Sequence, residues 1–109
     1  MTVKAFAKEA QLTALCMPDP EKEVTGAYVG DLLSWVMGKA DSGNVWITLM
    51  SNVNIVAVAT LADTSCILLA EGVTLEADVL DTAMAKGVNV LSSSLSAYEL
   101  ANKISSLVI

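Results

Sequence analysis

Two short runs without a single charge constrain this chain most: residues 45–50 (VWITLM) and residues 66–70 (CILLA). A strand that is apolar on both faces belongs in the middle of a parallel sheet with helices on either side. Parallel neighbours need a long crossover between them, usually a helix. Residues 55–62 lie in that gap. Their β-branched content favours a strand, yet Ile55, Val58, Ala59 and Ala62 share one helical face and Asn54 stands where a cap would. The segment is therefore expected to be a helix, and the whole chain an α/β domain.

The flanking sequence repeats the alternation. Thr2 precedes a short helix with Val3, Phe6, Ala7 and Ala10 on one side, and residues 12–16 follow as a short strand. Pro18, Asp19 and Pro20 make a rigid turn. Residues 24–29 (VTGAYV) form the next strand. Asp31 is expected to cap the helix after it, with Leu32, Leu33, Val36 and Met37 facing the core. Thr74 is expected to cap a helix carrying Val79, Leu80, Ala83 and Met84 inward, with Glu76 and Asp78 at its start, Lys86 near its end and Gly87 as its stop. Residues 88–91 supply the last strand. Ser96 and Glu99 then spell an S-x-x-E capping box between Leu95 and Leu100, which hold the staple positions. The face formed by Ala97, Leu100, Ala101, Ile104 and Val108 docks this final helix. The expected architecture is one domain over residues 1–109, a mainly parallel sheet flanked by helices.

Composition excludes several functions. The 109 residues suffice for one domain. Hydrophobic residues make up 54% and charged ones only 17%, enough for a real core and sparse for covering an exterior, which points to an oligomer. The net charge is −6, and all six basic residues are lysines; nucleic acid and anionic membranes are therefore not expected partners. Histidine is absent, which removes the commonest general base and metal ligand. Cys16 and Cys66 form no CxxC motif and read as small buried hydrophobes in a reducing, cytoplasmic setting. The uncharged stretch 42–62 is too rich in Asn, Ser and Thr for a membrane span.

No catalytic constellation emerges. Gly38-Lys39 fails the phosphate-loop pattern, because Leu33 and Ala40 occupy the places of the first glycine and the final hydroxyl residue. No serine sits in G-x-S-x-G, and Glu76, Asp78 and Asp81 read as a solvated helix face. Neither a metal nor a cofactor is expected. Two stretches remain as candidate anion or ligand sites: Thr25, Gly26, Gly30 and Asp31, where a glycine-bearing strand end runs into a helix, and Ser92, Ser93 and Ser94 after the last strand. In a parallel sheet, ligands bind at the carboxyl ends of strands. The bland alternatives are a tight turn that needs glycine and a polar loop. Asn54, at the start of the helix between the two central strands, joins the candidates. Tyr28, Trp35 and Trp46 are more consistent with core or interface packing than with base stacking.

Residues 21–36 (EKEVTGAYVGDLLSWV) resemble the signature region of DRTGG domains. Residues 45–59 (VWITLMSNVNIVAVA) are similar to the block that follows, and residues 87–100 (GVNVLSSSLSAYEL) to the closing strand, serine loop and capped helix. The likeness departs from the family at its name: Thr25, Gly26 and Ala27 stand where Thr-Gly-Gly would, with no arginine before them. The resemblance implies a fold similar to the N-terminal domain of HPr kinase/phosphorylase without the kinase, whose phosphate-loop domain is missing here. It also implies a regulatory or dimerising module, as in phosphate acetyltransferases and CBS-domain pyrophosphatases, the latter linked to adenine-nucleotide control. Stand-alone relatives beside iron hydrogenase genes imply an accessory role in a redox system. The function expected is a non-catalytic regulatory or interaction module, a homodimer with a protein partner. The alternative is a sensor of an adenine nucleotide or another anion.

Overall fold

The computed structural model describes residues 1–108. Five helices and five strands follow in the order α1 (Val3–Glu9), β1 (Thr13–Cys16), β2 (Gly26–Val29), α2 (Leu33–Lys39), β3 (Asn44–Thr48), α3 (Asn54–Ala62), β4 (Cys66–Leu69), α4 (Ala77–Lys86), β5 (Val90–Ser92) and α5 (Ala97–Ile104). The strands form one sheet in the order β1-β5-β4-β3-β2. β2 to β5 are parallel, and β1 joins β5 antiparallel, with a register shift between Ala14 and Cys16.

The parallel strands are laid down stepwise in one direction, so right-handed crossovers put α2, α3 and α4 on the same face. The two cores record this. Val45 and Ile47 of β3 with Cys66 and Leu68 of β4 pack against Phe6 of α1 and Leu100 and Ile104 of α5. Their alternates Trp46, Ile67 and Leu69 pack against Val36, Ile55, Val79 and Ala83 from α2, α3 and α4. All of β3 and β4 is buried, as charge-free runs require. The segment 55–62 is helical: the crossover between two parallel neighbours overrides its β-branched propensity.

Local capping departs from expectation at three of five helices. Thr2 caps α1, accepting a hydrogen bond from Ala5 N at 3.1 Å, and Ser96 and Glu99 make the reciprocal capping box of α5. Asp31 does not cap α2, which starts after Leu32. Asn54 does not cap α3; it is the first helical residue, and its N–H donates to Asn52 Oδ1 at 2.9 Å. Thr74 does not cap α4, which starts after Glu76.

The expected core faces of α2 and α4 also need correction. Val36, Val79 and Ala83 are buried, but Leu32, Met37 and Met84 are exposed, as is Trp35. Each of these helices presents a narrower stripe to the sheet than its apolar content suggests. The last strand runs from Val90 to Ser92, later than expected, because Val88 still completes the exit from α4, its N–H donating to Ala83 O. Val108 lies beyond α5, which ends at Ile104.

Candidate functional site

The carboxyl ends of β2, β3, β4 and β5 line up along one end of the sheet. Gly30 and Asp31 follow β2. The Gly30 N–H donates to Ile47 O at 3.1 Å, and its carbonyl accepts Trp46 Nε1–H at 2.8 Å. Asp31 is thereby aimed at the end of β3. Its Oδ1 accepts from the Thr48 hydroxyl at 2.7 Å and from the Leu49 N–H at 2.9 Å, while Thr48 Oγ1 accepts from Met50 N at 3.1 Å. A carboxylate of the chain itself thus takes the donors that an anion would seek at a strand end.

The next gap is the most informative. The chain leaves β4 towards α4 on one face and leaves β5 towards α5 on the other. Adjacent connections that diverge in this way open the crevice where parallel sheets bind ligands. Here the crevice is laced shut. Glu71 and Gly72, both left-handed at φ 59° and 71°, donate their N–H groups to Leu95 O and Ser93 O, each at 2.8 Å. Ser93 N donates to Leu69 O at 3.0 Å, and Ser93 Oγ accepts from Leu95 N at 3.1 Å.

Of the residues singled out from sequence, Gly30, Asp31, Asn54, Ser93 and Ser94 lie at this end of the sheet. Ser92 is not in the loop; it belongs to β5 and pairs with Leu69 and Thr13. Asp31 and the serines sit three strand spacings apart, about 14 Å. Thr25 and Gly26 lie at the opposite end, because β2 begins there. The Thr25 hydroxyl donates to Ser42 O at 2.7 Å and accepts from Asn44 Nδ2 at 3.5 Å. Gly43 must be glycine on two counts: its φ is +83°, and a Cβ there would stand 2.6 Å from Thr25 Cγ2.

Sequence reasoning missed Thr48, Asn52, the Glu71-Gly72 turn and a polar cluster at the opposite end. There Asp63, left-handed at the end of α3, accepts from Lys22 Nζ at 2.6 Å and from the Ser42 hydroxyl. Those two bonds hold its carboxyl below the ordinary 3.8. A Glu-Gly pair after an apolar strand signals the turn; nothing in the sequence signals the Lys22–Asp63 pair.

Neither thiol is poised for chemistry. Burial pushes Cys66 up to about 12 and raises Cys16 as well. Among the described residues no group of three or more acidic, Cys or His side chains is arranged to hold a metal ion. No helix among them is long and apolar enough to cross a membrane.

A stepwise parallel sheet with one antiparallel edge, carrying a sealed crevice, defines a compact α/β module. The sequence pattern of the DRTGG domain matches residues 21–107, and the chain belongs to that family. Its fold is similar to the CBS and DRTGG domains of the regulatory region of Clostridium perfringens pyrophosphatase, crystallised with the activator diadenosine tetraphosphate. The TM-score is 0.70 at 13% identity, over 94% of this chain and 45% of that one. The chain thus spans less than half of that solved structure. No curated protein matches the sequence.

Proposed function

We propose that this chain is a regulatory module that acts by association, pairing with a second copy and with a protein partner, and that it performs no chemistry of its own. The observation that carries this reading is the internal satisfaction of the strand ends. The N–H groups of Leu49, Glu71, Gly72 and Leu95 all have partners within the chain. Large apolar side chains are meanwhile left on the surface. A surface of that kind serves contact between proteins. Membership of a domain family found in a pyrophosphatase regulatory region agrees with it. An accessory role in a redox system fits the family resemblance; with both thiols held protonated by burial, such a role would run through a partner. Two free thiols also suit a reducing, cytoplasmic setting.

The second reading is an adenine-nucleotide sensor. It is favoured by the likeness to a regulatory region crystallised with diadenosine tetraphosphate. The separation of about 14 Å between Asp31 and Ser93 suits an elongated ligand better than a simple anion. Binding would require Asp31 to release Leu49 N–H and the Glu71–Leu95 lacing to open.

Light scattering across a dilution series, combined with thermal unfolding against adenine nucleotides, separates the two. A concentration-dependent dimer with no nucleotide-induced rise in Tm is the expected result. A dose-dependent rise that Asp31→Ala alters and Gly26→Ala leaves unchanged would replace the first reading with the second.

A further inference from the structure

Helix α3 has no charged residue on any side, yet part of it faces out. Val53, at its entry, and Leu61 are 49% and 73% exposed, and Ala57 between them is exposed too. A helix apolar all round is ordinarily covered. The neighbouring helices extend the apolar surface: Leu32, Trp35 and Met37 on the α2 side and Met84 on α4 are each about half exposed. Between α3 and α4 runs a groove of about 460 Å³, walled by Val53, Ala57, Leu61, Thr82 and Lys86 among others. This layer carries six of the larger exposed apolar side chains, while the opposite face shows two, Tyr98 and Val29, the latter in a separate groove between β2 and α5.

We infer that the outer face of the α2–α3–α4 layer, centred on Ala57, is the surface on which a second copy of this chain docks. The inference rests on the homodimer reading above and assigns it a place. Charge selects the occupant. The chain carries 12 acidic residues, and two copies repel wherever acids meet. Between Leu32 and Ala62 the only charges are Lys39 and Asp41. The charge-free zone centred on α3 is where two such anions can approach; α4 adds exposed Asp78 and Asp81 beside it, and Lys86 lines the groove. Area agrees. Six side chains that are about half exposed or more, one of them a tryptophan, supply a substantial part of the ~800 Å² per partner of a stable interface. Geometry agrees as well. Val53, Ala57 and Leu61 recur every four residues with the small residue central. An antiparallel copy related by a two-fold axis through Ala57 would set Val53 of one chain against Leu61 of the other.

The test uses sedimentation equilibrium on the full chain and three variants, with circular dichroism to verify the fold. Wild type should dimerise. Leu61→Glu should weaken the dimer by at least about a hundredfold, since a two-fold interface carries the change twice. Tyr98→Glu, on the far face, should leave it unchanged. Because Ala57 sits on the axis, Ala57→Cys should form a covalent dimer on mild oxidation, a readout that does not depend on disrupting anything. A wild-type monomer at every concentration would overturn the homodimer reading itself. A wild-type dimer that survives Leu61→Glu and fails to crosslink through Cys at position 57 would leave that reading standing and overturn this surface. So would a dimer lost instead on Ala27→Pro, which would place the contact on the open edge of β2.

Discussion

Glu71 gives its backbone N–H to the carbonyl of Leu95, 2.8 Å away, and so ties the turn after β4 to the loop after β5. The bond requires Glu71 to adopt φ 59°, a conformation that costs a residue with a side chain about 1–2 kcal/mol. Two neighbouring substitutions should therefore act in opposite directions. Gly72→Ala should destabilise by about 1–2 kcal/mol through the backbone alone, because a Cβ there would meet nothing within 4 Å. Glu71→Gly should stabilise by about 0.5 kcal/mol, the relief of strain exceeding the added entropy of the unfolded chain. Urea unfolding of both variants measures the two signs.

Asp31→Ala leaves the buried Thr48 hydroxyl and the Leu49 N–H without their acceptor. A loss of about 1–3 kcal/mol is expected. Asp31→Asn, which keeps one oxygen, should lose less. Hydrogen exchange at Leu49 should quicken in both, and an unchanged rate would mean that the carboxylate does not hold this loop.

Asn89 is buried and fully partnered. Its amide nitrogen donates to Asp19 O at 2.7 Å and Ser65 O at 3.0 Å, and its oxygen accepts from Asp19 N at 2.9 Å. Asn89→Ala should cost about 2–4 kcal/mol, with Asp19→Ala costing far less, because only the backbone of Asp19 takes part.

Lys22 and then Ser42 hold the Asp63 carboxyl below its unfolded value of 3.8. A lowered value means that the charged form is favoured in the folded state. The contribution is complete above about pH 4 and is lost as the pH falls through the folded value. Asp63 is largely exposed, so the effect is small and salt-sensitive. Unfolding free energies between about pH 2 and pH 6 should show wild type and Asp63→Asn converging at the acid end.

With its thiol pushed up to about 12, Cys66 should resist alkylation at about pH 8 until the protein unfolds. Cys16, part-exposed and less strongly raised, should react slowly in the native state. Mass spectrometry of iodoacetamide-treated protein distinguishes the two.

Elements whose character is set by strong local patterns were legible in the sequence. The charge-free runs at β3 and β4 fixed the parallel centre, and Thr2 and the Ser96–Glu99 box marked two helix starts. What was illegible depended on where strands end in space. Asp31 looks like a cap in sequence, but the end of β3 offers it a hydroxyl and an N–H at closer reach. Thr25 and Gly26 sit only a few residues from Gly30, yet a strand of four residues, about 13 Å, carries them to the other end of the sheet. Glu71 and Leu95 are distant in sequence and meet only because β4 and β5 are neighbours. Asn89 reads as an interruption in an apolar run, and its use appears only when the Pro18–Pro20 turn comes to lie beside it.

The placement of β1 has a consequence for the order in which the chain can be completed during synthesis. β1 is made before β2, yet among the described residues its neighbour in the sheet is β5, the last strand. While β2, β3 and β4 add side by side as they leave the ribosome, β1 has nothing to pair with until residues 90–92 emerge. α1 is already tied at its start to residues 20–24 through the Val3, Lys4 and Val24 N–H groups, so it is β1 alone that waits unpaired and joins the sheet at the end. Nascent chains stalled short of Val90 should show amides at Thr13–Cys16 that exchange freely, with protection arriving in one step when the final strand is released.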